Sequence, residues 1–101
     1  MLDAALKAVA FVEGRSPADL KADEMRALAL IHVLEVLGEA STGVSQETKN
    51  SYPELPWAKM AATRNRLAHG YFNIDLEVVW RISTEDLPPV IVKLRGLVEN
   101  E

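Results

Sequence analysis

The 101-residue chain reads as an all-α protein, a helical bundle of four main helices in up-down order. Three observations point there. Apolar residues recur at spacings of three and four along most of the length. No stretch alternates with the two-residue period of a strand. Gly14, Gly43 and Gly70, with the pair Pro53 and Pro56, punctuate the periodic segments.

The first element carries Leu2, Leu6, Val9, Ala10 and Val12 and ends at Gly14, a C-cap position; it is short for a bundle member. Ser16-Pro17 reads as an N-cap followed by the first helical position of a short helix reaching about Leu20. Asp23 caps the strongest helical signal, which runs to about Ala40. Apolar residues cover most of its circumference, and His32, Glu35 and Glu39 mark a narrow polar stripe. So broad an apolar surface predicts a helix that is central in the bundle and shared with a second subunit.

After the break at Gly43-Val44-Ser45, residues 46–51 make one or two turns, and Tyr52-Pro53-Glu54-Leu55-Pro56 is a rigid connector. Pro56 opens the next helix as its first residue, and that helix runs to about Ala68 before Gly70. Asn73 or Asp75 caps the last helical region, which carries Leu76, Val79 and Trp80. Thr84 to Pro89 marks a bend before residues 90–98. Trp57 and Trp80, among aliphatic neighbours, are expected as core or interface anchors.

Length and composition bound the function. Residues 1–101 fit one domain with a modest core, to which a subunit contact would add. With no cysteine, disulfides, thiolate metal sites and thiol nucleophiles are excluded. No apolar run approaches the roughly 20 residues of a membrane span, and the start lacks a basic signal-peptide region, so a soluble, cytoplasmic protein is expected. A net charge of −4 argues against a broad sequence-independent grip on nucleic acid, though not against a local basic cluster that binds one phosphate.

The segment Arg64-Asn65-Arg66-Leu67-Ala68-His69-Gly70-Tyr71 carries the chemistry. Arg64 is a permanent cation with a planar fork suited to phosphate oxygens. His69 titrates near neutrality and can move a proton. A cation that stabilises phosphorane-like charge and an imidazole at the ribose hydroxyl or the leaving oxygen are the minimum for RNA cleavage without a metal or cofactor. RNA supplies its own nucleophile in the 2′-hydroxyl.

Residues five apart on an ideal helix point about 140° apart, so Arg64 and His69 converge only if the last turn loosens or a two-fold mate brings its own pair across. Arg66, three residues before His69, competes with Arg64 for the phosphate-binding role. An arginine and a histidine near a helix end are also what a solvated cap looks like, and a tyrosine such as Tyr71 by default packs its ring and keeps its hydroxyl wet.

The pattern Arg64…His69-Gly70-Tyr71 resembles the Arg-x4-His-x-Tyr signature of HEPN proteins, specifically the HepT-like toxins. The flanking segments are similar too: Val36-Leu37-Gly38-Glu39-Ala40, Pro56-Trp57, the run from Tyr71 to Trp80, and Thr84-Glu85-Asp86-Leu87-Pro88. The likeness extends from Leu2 to Val98.

It implies a HEPN-type bundle that forms a homodimer with the motif lining the cleft between subunits. It further implies Arg64 and His69 as catalytic residues of a metal-independent ribonuclease toxin acting on tRNA or mRNA. A minimal nucleotidyltransferase is the implied antitoxin partner, silencing the toxin by AMP transfer to Tyr71. Asn65, Arg66 and Glu39 are expected in support, Glu39 orienting Arg64 or Arg66 or standing solvated. The alternative is a non-catalytic module that binds a nucleotide and docks the nucleotidyltransferase.

Overall fold

A computed structural model describes residues 1–69 and 75–99, the side chains of Ala68, His69 and Glu99 excepted. Its elements are α1 (Leu2–Val12), α2 (Pro17–Ala22), α3 (Glu24–Thr42), α4 (Gln46–Ser51), α5 (Trp57–His69), α6 (Leu76–Arg81), a π-helical turn (Ile82–Asp86) and α7 (Leu87–Glu99). No strand occurs among the described residues. α6, the π turn and α7 follow one another without interruption, so the long elements are four, as the sequence predicts, with α2 and α4 as short connectors.

The caps arise locally. Gly14 takes a φ of 71°, which lets the chain leave α1 where a side chain would be strained. Ser16 and Asp19 form a reciprocal capping box: the Asp19 amide donates to Ser16 Oγ (3.3 Å) and the Ser16 amide to Asp19 Oδ2 (2.9 Å). The Asp23 carboxylate accepts from the Arg26 amide at 3.1 Å, and the Asp75 carboxylate from the Glu77 amide at 2.9 Å. Asn73, the other expected cap, lies outside the described residues. Helix α5 starts one residue later than expected, since Pro56 stands at the boundary and its carbonyl accepts the Met60 amide at 3.0 Å.

α3 is the spine of the molecule. Ala27, Leu30, Ile31, Leu34, Leu37, Gly38 and Ser41 are buried at helical spacing. α1 lies against them through Ala4, Ala5 and Ala8, whose small side chains permit a close approach. α5 packs on α3 more extensively than any other pair of elements packs. Leu30, fully buried, contributes about 1.5–3 kcal/mol by removal from water. The opposite face of α3 is open: Met25 is 82% exposed, Leu28 59% and Val36 44%, in line with exposed His32 and Glu39. This part of the apolar surface of α3 is left uncovered by the described residues.

The expected bend at residues 84–89 is instead a widened turn within a continuous helix. The Leu87 amide bonds to the Ile82 carbonyl, five residues back. Pro88 and Pro89 have no amide to donate, and their rings would press on the carbonyls four residues earlier in a regular α-helix. The wide turn relieves that crowding. It also keeps Val79, Ser83 and Leu87, four residues apart, all buried. Ser83 Oγ donates to the Val79 carbonyl (3.0 Å) and Thr84 Oγ1 to the Trp80 carbonyl (2.9 Å), bonding carbonyls of the turn before. Trp57 and Trp80 are half-buried against the core, and Trp57 Nε1 donates to the Tyr52 carbonyl at 3.0 Å.

Candidate functional site

Helix α5 buries Met60 and Leu67 toward the core, and Arg64 falls between them at the edge of that face. What brings Arg64 against α3 is Gly38. A Cβ on Gly38 would collide with the Cβ of Arg64 and lie 3.0 Å from the Met60 carbonyl oxygen. The missing side chain lets the two backbones approach closely, and the aliphatic stem of Arg64 fills the space. Gly38 itself is braced from within α3, where the buried Ser41 hydroxyl donates to its carbonyl at 2.6 Å.

One residue beyond Gly38, the Glu39 carboxylate receives the guanidinium: Arg64 Nη2 lies 2.7 Å from Glu39 Oε2. Arg64 Nη1 donates to Asn65 Oδ1 at 2.8 Å. Two anchors from two helices therefore orient the fork, and among the described residues they engage two of its five N–H groups. The Arg64 side chain is 35% exposed and that of Glu39 62%, so the pair stands at the surface. A pair so exposed adds little to stability, about 0–1 kcal/mol, and its consequence is orientation.

Arg66 does not share this place. Two residues apart on a helix means about 160° around the axis, and Arg66 faces a groove shared with Val78 and Arg81 of α6. Glu39 thus pairs with Arg64, and the alternative pairing with Arg66 is not made. The backbone stays α-helical through His69, so a loosened last turn does not bring positions 64 and 69 together. The His69 side chain, Gly70 and Tyr71 lie outside the described residues. Among the described residues, no three His, Asp or Glu side chains gather as a metal-ligand set, and no helix is long and apolar enough to cross a membrane.

Gly38, Lys59 and Arg81 carry no assigned role on sequence grounds. Gly38 is legible as a glycine inside a strong helical pattern, a sign of close backbone approach. The grouping of Lys59 with Arg66 is legible as an i, i+7 stripe, but Arg81 joins it from another element and no local signal announces that.

A helical bundle whose sequence carries an Arg-x4-His-x-Tyr segment defines a class, and comparison with known proteins assigns the chain within it. A family model described as "Ribonuclease HepT-like" matches residues 1–97. A Thermococcus cleftensis protein named as a probable ribonuclease HepT is 38% identical over 79 residues, 78% of this chain and 72% of its own length. Two Methanocaldococcus jannaschii proteins, each named as a candidate RNase, are 38% and 35% identical over 67% and 77% of this chain, matched across 62% and 64% of their own lengths. No solved structure gives a significant match. The chain belongs to the HepT-like ribonuclease family of HEPN proteins.

Proposed function

We propose that the protein is a metal-independent RNA endonuclease, with Arg64 and His69 as its catalytic residues. The observation that carries this reading is the guanidinium of Arg64, held at the surface between Glu39 and Asn65, its other donors without an acceptor among the described residues. In the reaction the 2′-hydroxyl of the RNA attacks the adjacent phosphorus. The new bond is 2′-O–P, the broken bond is P–O5′, and the products are a 2′,3′-cyclic phosphate and a 5′-hydroxyl. Imidazole takes the proton from the 2′-oxygen, and an imidazolium returns one to the leaving 5′-oxygen. Arg64 stabilises the charge that grows on the non-bridging oxygens.

The working unit is a homodimer. Positions 64 and 69 lie about 140° apart on one continuous helix, so a composite site with the mate's His69 supplies the convergence that one chain lacks. The uncovered apolar stripe of Met25, Leu28 and Val36 supports such a mate, because it runs along α3 toward Glu39, the partner of Arg64. A toxin role, with silencing through AMP transfer to Tyr71 by a nucleotidyltransferase antitoxin, completes the reading. It rests on family membership and the Tyr at position 71.

The test is cleavage of total RNA and isolated tRNA in EDTA, beside His69→Ala prepared identically. Cleavage by the parent alone supports the reading. Equal cleavage by both removes His69 from it. No cleavage by either, with Tyr71 unmodified by mass, replaces the nuclease with the module that binds a nucleotide and its transferase. Mass gain at Tyr71 after incubation with a neighbouring nucleotidyltransferase and ATP tests the partnership separately.

A further inference from the structure

On the side of α5 away from Glu39 and Arg64 lies a concavity, open to solvent and about 350 Å³ in volume. Lys59, Thr63 and Arg66 line it from α5, Arg81 from α6 and Asp86 from the π turn. It holds three cations against one carboxylate, in a chain whose net charge is −4. The carboxylate is already engaged: Lys59 Nζ lies 3.2 Å from Asp86 Oδ2. Among the described residues, neither Arg66 nor Arg81 has an acidic side chain within ion-pair distance. Two exposed arginines carried on separate helices thus line one groove.

We propose that this groove is a phosphate subsite that holds the backbone of an RNA strand beside the scissile position, an inference that rests on the ribonuclease reading. Guanidinium forks suit the paired oxygens of a phosphodiester, and a recess of this size admits one such group with part of its sugar. The described lining has no aromatic side chain on which a base could stack, and its cations suit backbone phosphates. Arg64 and Arg66 project to nearly opposite sides of α5, a helix about 10 Å across with its side chains. A strand cleaved at Arg64 crosses the outer surface of α5 to place a flanking phosphate between Arg66 and Arg81. This reconciles an acidic protein with a polyanionic substrate, since the positive charge is concentrated where the strand passes.

The experiment is fluorescence anisotropy of a short single-stranded RNA made uncleavable by 2′-O-methylation, across a range of salt. The parent, Arg66→Ala/Arg81→Ala and Asp86→Asn are compared, with cleavage of unmodified RNA measured on the parent. The double variant is expected to bind more weakly, its log affinity against log salt shallower by about 0.7 for each phosphate it no longer neutralises. Asp86→Asn, which removes the one carboxylate, is expected to bind several-fold more tightly. An unchanged slope in the double variant, weaker binding by Asp86→Asn, or no binding by the parent overturns the subsite. Parent cleavage with an unchanged slope removes the groove and keeps the nuclease. Binding that responds as expected, without parent cleavage, keeps the groove and removes the nuclease.

Discussion

Gly38 and Arg64 meet where α3 packs on α5, and the side-chain stem of one occupies the space the other leaves empty. Alanine inside a helix ordinarily outranks glycine by up to about 1 kcal/mol. At Gly38 the added methyl meets a Cβ and a backbone carbonyl, neither of which is a flexible side-chain end. Overpacking of that kind costs about 1–3 kcal/mol, so the collision wins. Gly38→Ala is expected to lower the melting temperature and the cleavage rate together. Gly96, with no atom within 4 Å of an added Cβ, is the control: Gly96→Ala is expected to raise the melting temperature. Thermal unfolding of both variants checks the opposite signs.

Glu39→Gln separates orientation from stability. The pair with Arg64 is exposed, so stability is expected to change by less than about 1 kcal/mol in denaturant titration. Cleavage is expected to fall by about 10–100-fold, because a displaced guanidinium misses the developing charge. Unaltered kcat would show that Glu39 is a solvated bystander.

Removing the cation itself is the harsher test. Arg64→Ala is expected to lower cleavage by about 10²–10³, comparable to removal of one donor to a developing oxyanion, and chelators are expected to leave the parent's rate unaffected. Circular dichroism should show the helical content retained, since Arg64 stands at the edge of the buried face.

The core answers to a different rule. Leu30 is fully buried on α3, so Leu30→Ala leaves a cavity and is expected to cost about 2–5 kcal/mol. In a domain of this size each kcal/mol corresponds to about 4–8 °C in Tm, which a melting curve resolves.

The open stripe of α3 predicts the oligomer. Met25→Glu with Leu28→Glu places charge on side chains 82% and 59% exposed in the single chain, so the fold is expected to persist. Sedimentation should then report a monomer where the parent reports a dimer, and a composite site requires cleavage to fall with it. A dimeric variant would move the interface elsewhere.

Periodicity and punctuation make the bundle readable, because capping is local chemistry: Ser16, Asp23 and Asp75 cap helices where their side chains reach amides two or three residues on. Glu39 is readable only as one member of a polar stripe. Its pairing with Arg64 depends on where α5 crosses α3, and sequence spacing carries no distance between helices. The Arg66 groove depends likewise on α6 lying beside α5. The π turn escapes because two prolines after a helical run ordinarily signal a stop, and here a change of hydrogen-bond register absorbs them.

That register change also divides the last helix into kinetic parts. Pro88 and Pro89 supply no amide protons, so the ladder that would couple α6 to α7 lacks two consecutive rungs just beyond the Ile82–Leu87 bond. Cooperative unzipping stops at such a gap. In amide hydrogen exchange α6, docked on α2, and α7, docked on α1, should open as separate units, each with its own protection. The wall of the Arg66 groove can then breathe while the core beneath α7 stays closed.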